Sequence, residues 1–106
     1  MKIYLIKEAN SEKYKIGYTS LSINERIKQL QTGNAEKLET VHLYNTRIAD
    51  SKIKKLESAI HAHFKLKRKK GEWFFLTKED ISNFLYICEK IESNIMILQN
   101  LGNPFL

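Results

Sequence analysis

Two short runs at the start of the chain, Lys2-Ile3-Tyr4-Leu5-Ile6 and Tyr14-Lys15-Ile16-Gly17-Tyr18-Thr19, constrain the fold most. Ile3 and Leu5, then Tyr14, Ile16 and Tyr18, alternate with polar residues in places, as strands do when one face is buried. The stretch between them, residues 7–13, is polar and carries Asn10-Ser11, so it reads as a hairpin loop.

Downstream of the hairpin, helical and strand patterns alternate. Ser22-Ile23-Asn24-Glu25 is an S-x-x-E capping box and opens a helix. Ile23, Ile27 and Leu30 share one face of it, and Gly33 ends it. Residues 38–45, with Val41, Leu43 and Tyr44, read as a third strand. Asp50 or Ser51 caps a second helix, in which Ile53, Leu56, Ile60 and Phe64 recur at helical spacing. A basic run over residues 65–70 comes next and stops at Gly71; residues 73–76 form a short apolar strand. Trp73 and Phe74 are expected to fill the core. Thr77 to Asp80 cap a last helix, with Ile81, Phe84, Leu85, Cys88, Ile91, Ile95 and Leu98 as its apolar stripe. The expected order is β-β-α-β-α-β-α: an α+β fold with a small antiparallel sheet flanked by helices. At 106 residues there is room for one domain and one modest core, placed at 1–101 with a short tail at 102–106.

Composition narrows the setting. No run approaches the roughly 20 apolar residues of a membrane span, and the first residues lack a signal peptide's apolar core. A single cysteine, Cys88, excludes an internal disulfide and fits a reducing compartment. The expectation is a cytoplasmic or nuclear protein that is not secreted and has no membrane partner. Charge is more telling. Residues 52–70 hold eight Lys/Arg and one acid, Glu57, whereas the rest of the chain is almost neutral. Basicity this local is the footprint of a polyanion site, with Lys65, Lys67, Arg68, Lys69 and Lys70 as nucleic-acid-binding candidates.

Several residues recur in an order that resembles the GIY-YIG nucleases. Ile3-Tyr4 stands for the end of the first half-motif and Lys15-Ile16-Gly17 for the second, eleven residues on. Arg26 comes next, on the first helix, and Glu57 on a later one. The string Leu56-Glu57-Ser58-Ala59-Ile60-His61, then Phe64 and Gly71-Glu72-Trp73-Phe74, is similar to the phage and viral branch, and Lys15 matches its KIG form. Lys2 occupies the place of the family's first glycine, and Asn83 is the candidate for its late asparagine. The resemblance covers about residues 2–85. It implies a metal-dependent DNA endonuclease with Tyr4, Lys15, Arg26 and Glu57 as catalytic residues, Glu57 as metal ligand, and Tyr18 and His61 in support.

The chemistry fits those residue types. Phosphodiester hydrolysis needs a water nucleophile, a group to deprotonate it, charge stabilisation and a stabilised leaving oxygen; a divalent ion supplies part of each. Mg²⁺ or Mn²⁺ keeps most of its waters and takes one or two protein carboxylates, so Glu57 suffices for a one-metal site. Arg26 offers a rigid fork to phosphate oxygens. Tyr4 is the candidate base or water-orienting group, with Lys15 expected to lower its pKa. Side-chain alternation sets Tyr18 on the face opposite Lys15. His61 lies one turn after Glu57 on the same helix face, in a phosphate-contacting or supporting role; His42 and His63 do not converge with it into a zinc site. Duplex DNA is the expected partner, with RNA as a further candidate, and a double-strand cut would take a homodimer or sequential nicking. The rival readings are an inactive nucleic-acid-binding module of the same fold and a basic RNA- or protein-interaction domain.

Overall fold

The computed structural model describes residues 1–102; four of the five residues assigned to the tail, 103–106, lie outside the described residues. Five antiparallel strands and three helices make three layers. The strands are β1 (Lys2–Glu8), β2 (Lys13–Thr19), β3 (Leu38–Asn45), β4 (Arg68–Lys70) and β5 (Trp73–Phe75). The helices are α1 (Ile23–Gln31), α2 (Ile53–His63) and α3 (Lys78–Asn100). Spatial order in the sheet is β3-β1-β2-β5-β4, so the N-terminal hairpin forms its centre.

The hairpin is longer than the sequence implied. Its loop shrinks to four residues, with Asn10 in the left-handed region at φ 60° and a Lys13–Glu8 ion pair at 3.1 Å across its base. In the hairpin, Tyr4 stands opposite Gly17 and Ile6 opposite Lys15. Alternation then assigns the faces. Ile3, Leu5, Tyr14 and Ile16 turn toward α2 and α3, where Leu56, Ile60, Phe84 and Cys88 complete a fully buried core. Tyr4 and Ile6 turn the other way, onto Ile23, Ile27 and Leu30 of α1, with Leu38 and half-buried Trp73. Phe74 is buried in the main core, as expected, but Trp73 only lines this smaller one.

Helix ends obey local chemistry. Ser22 Oγ accepts the Glu25 N–H and starts α1. Thr77 and Asp80 form a reciprocal capping box at the start of α3. Neither Asp50 nor Ser51 caps α2 with its side chain; both lie in a 3-10 turn, Asp50–Lys52, that leads into the helix. Two further expectations are corrected. Residues 68–70, part of the basic run that the expected order left without an element, form edge strand β4, paired to β5 through a turn in which Gly71 takes φ 57°. Leu85 and Leu98 of the predicted α3 stripe are exposed, and Glu92 is buried within it.

Glu92 is held by four donors. Tyr44 Oη–H donates to Oε1 at 2.6 Å, the backbone N–H groups of Arg47 and Ile48 donate to Oε2 at 2.7 and 3.0 Å, and Arg47 Nε donates to Oε1 at 3.1 Å. Burial alone would raise its pKa, but these bonds outweigh it and hold the carboxylate below its usual range. They clamp the segment after β3 to the middle of α3.

Candidate active site

β5 pairs with β2 only over Lys13–Lys15, and the Ile16 N–H is taken by the Glu72 carbonyl at 3.1 Å. Beyond that point the edge of β2 has no strand beside it among the described residues, and a cleft of about 350 Å³ opens there. Tyr4, Tyr18, Arg26, Gln29, Glu57 and Glu72 line it.

The hairpin register seats Tyr4. A Cβ built on Gly17 would stand 2.2 Å from Tyr4 Oη and 2.5 Å from Cζ, so only glycine lets the phenol lie across β2. Arg26 comes from the middle of α1. Its Nη2 donates to Tyr4 Oη at 3.4 Å, its Nη1 donates to Gln29 Oε1 at 3.0 Å, and its guanidinium lies 5.8 Å from the Tyr4 ring centre. Arg26 Nε is buried with no acceptor, and Glu57 Oε2 is buried with no donor. Unsatisfied buried polar atoms are costly, and two of them in one cleft mark places where a ligand would bond.

Burial raises the Tyr4 phenol pKa, and Glu72 and Glu57 add to the rise; the cation that pulls it back is Arg26. Lys15 pairs with Glu72 at 3.2 Å, lies 5.3 Å from the Trp73 ring centre, and acts on Glu57, whose pKa it lowers. Glu57 is nonetheless pushed up to about 7, first by burial, then by the charge of Glu72 and a hydrogen bond with it. The sequence reading missed Glu72. Its only signal was its place in the Gly71-Glu72-Trp73-Phe74 string, beside a glycine that turns the chain.

The remaining candidates divide. Tyr18 lines the cleft although alternation sets it opposite Lys15, because the cleft sits at the open sheet edge, where both faces can reach it. His61 is not among the residues lining the cleft. Its Nε2–H donates to the Ile16 carbonyl at 2.8 Å and its ring packs on Phe74, so it pins the backbone beside Gly17 to α2. Asn83 is exposed on α3, away from the cleft; the amide in the cleft is Gln29. No three His, Cys, Asp or Glu side chains converge among the described residues. His42 and His63 are engaged elsewhere, His42 with the Ile81 carbonyl at 2.9 Å and His63 edge-on to Phe64.

Of the basic candidates, Lys65, Arg68, Lys69 and Lys70 are exposed, three of them along β4. Lys67 is committed to Asp80 at the start of α3, and Arg68 Nε donates to the Gly71 carbonyl at 2.6 Å. Lys65 and Arg68 also line a groove with Ser58 and His61, on the helix that carries Glu57.

The donor set suits a hard divalent ion. Glu57 and Glu72 supply carboxylate oxygens, one of them buried and unpaired, and an ion of the Mg²⁺ kind takes one or two carboxylates and fills its remaining positions with water.

Among the described residues no helix is long and apolar enough to cross a membrane. Compared with known proteins, residues 1–92 match the family model described as the T5orf172 domain. No curated protein and no solved structure matches the chain.

Proposed function

The chain belongs to the T5orf172 domain family, a phage-associated domain related to GIY-YIG-like nucleases, and from that premise we propose that it is a small DNA endonuclease dependent on Mg²⁺ or Mn²⁺. One observation carries the reading: Tyr4, Arg26 and Glu57, far apart in sequence, line one cleft in which a guanidinium nitrogen and a carboxylate oxygen are buried without partners.

The environments assign the roles. Glu57 would hold the ion, which supplies Lewis acidity and stabilises the leaving oxygen. Arg26 presents an unused N–H to a phosphoryl oxygen, and its charge counts for most as negative charge builds there. Tyr4, with its pKa raised, is a neutral phenol near pH 7 and orients a water or phosphate oxygen rather than carrying a phenolate. Gln29 steadies Arg26, and His61 steadies the strand beneath Tyr4. The exposed cations of β4 and the groove along α2 give a backbone path for nucleic acid toward Glu57; such contacts position a duplex without reading its sequence.

The test is supercoiled plasmid incubated with the protein and Mg²⁺ or Mn²⁺. Nicked product that disappears with chelator and with Glu57→Gln is the expected result. Salt-dependent binding with no cleavage under any metal would replace this reading by that of an inactive binding module.

A further inference from the structure

Glu72 reaches the cleft from the turn between β4 and β5, and its backbone is fixed there. Its carbonyl accepts the Ile16 N–H, and Gly71 before it takes the left-handed conformation that turns β4 into β5. Its side chain is half-buried, is held by Lys15 at 3.2 Å, and lines the cleft together with Glu57. Two acids meeting across a half-buried cleft repel unless positive charge stands between them. Lys15 beside Glu72 and Lys54 near Glu57 offset part of this, yet Glu57 Oε2 is left buried and without a donor. A hard cation that accepts two carboxylates and keeps its waters would relieve the repulsion and engage the orphaned oxygen at once.

We propose that Glu72 is a second carboxylate ligand of the divalent ion, facing Glu57 across the cleft. This rests on the nuclease reading above, and it assigns Glu72 a role toward the ion beyond that of an anchor for Lys15. The two readings of Glu72 separate cleanly. An anchor acts through Lys15, so removing either partner should have the same effect. A ligand acts on the ion directly, and removing Lys15 only takes away a competing positive charge.

Mn²⁺ binding, followed by calorimetry and by loss of the free-ion electron paramagnetic resonance signal, tests this without nucleic acid. Wild type, Glu57→Gln, Glu72→Gln and Lys15→Met would be compared after circular dichroism has shown each to be folded. Glu72→Ala, which leaves no new amide in the cleft, backs up Glu72→Gln. Loss of an outer partner of a ligand already weakens metal affinity by about 10- to 100-fold. Glu57→Gln and Glu72→Gln should therefore each weaken Mn²⁺ by at least about tenfold, with Lys15→Met as tight as wild type or tighter. Wild-type affinity in Glu72→Gln and Glu72→Ala, beside a loss in Glu57→Gln, overturns the proposal and leaves the nuclease reading standing. Equal losses in Glu72→Gln and Lys15→Met overturn it in favour of the anchor. A wild-type protein that binds no Mn²⁺ overturns both readings.

Discussion

Glu57 on α2 and Glu92 on α3 are carboxylates carried inward by helices, and the fold treats them in opposite ways. Glu92 is fully buried and receives four hydrogen bonds, which hold its pKa down despite burial. Glu57 keeps one oxygen bare, faces a second acid, and is pushed up to about 7. Both carry buried carboxylate oxygens, so burial alone does not tell a carboxylate satisfied within the fold from one left open to a ligand. What tells them apart is whether the donors are already supplied.

Exchanging each acid for its amide is the strongest way to break this comparison. Glu57→Gln should abolish cleavage and leave the fold as stable as wild type or more so. Glu92→Gln should do the reverse: a loss of about 3–5 kcal/mol, the usual cost of breaking a buried charged network, with the rate per folded molecule unchanged. Urea melts alongside plasmid nicking read both. A Glu92→Gln protein that is as stable as wild type would mean the four bonds contribute nothing net.

A smaller effect sharpens the site itself. Gly17→Ala puts a methyl where the Tyr4 phenol lies, so the ring must move away from Arg26. Single-turnover cleavage should fall by about 100-fold, the scale of a lost transition-state contact, while duplex affinity holds. An unchanged rate would show that the Tyr4 position does not matter to the chemistry.

The smallest effect lies in pH. Glu57 has a folded pKa of about 7 against an ordinary 4.5, so it favours the fold most below about pH 4.5, and that contribution fades as pH rises toward 7. Glu92, with its pKa lowered, favours the fold above its ordinary value and loses that contribution as pH falls. In chelator, the melting temperature should drift down between about pH 4.5 and 7, and Glu57→Gln should flatten that drift. Glu92→Gln should instead blunt the loss of stability on the acid side. A drift that survives in Glu57→Gln would assign it to another group.

Much of this was legible in the chain. The bounds of β3 and the capped starts of α1 and α3 rest on short-range pattern, whereas Tyr4, Arg26 and Glu57, which line one cleft, were singled out only through the family resemblance. β4 was not, because Arg68-Lys69-Lys70 has no apolar residue to mark a strand; it is one only through its pairing with β5. Lysine-rich edge strands also resist pairing with other chains, a second use for this charge. At its far end the α3 stripe misled for a reason of length. Twenty-three residues extend about 34 Å, well past strands of about 23 Å, so Ile97, Leu98 and Leu101 are exposed near its end. Glu92 and Glu72 were invisible as clamp or site because their partners are distant in sequence: Glu92 takes its donors from residues 44–48, and Glu72 meets Lys15 and Glu57. The partner of Lys15 was hidden for the same reason.

The seat of Tyr4 across Gly17 also bears on how the hairpin finds its alignment during folding. Sliding β2 by one residue would carry Ile16 and Tyr18 to the wrong side of the sheet. Sliding it by two would bring Lys15 or Thr19 opposite Tyr4, and each has the Cβ that Gly17 lacks. Only the native alignment leaves a vacancy where the ring must go. The glycine that admits the phenol to the cleft thus also enforces the alignment of the N-terminal hairpin.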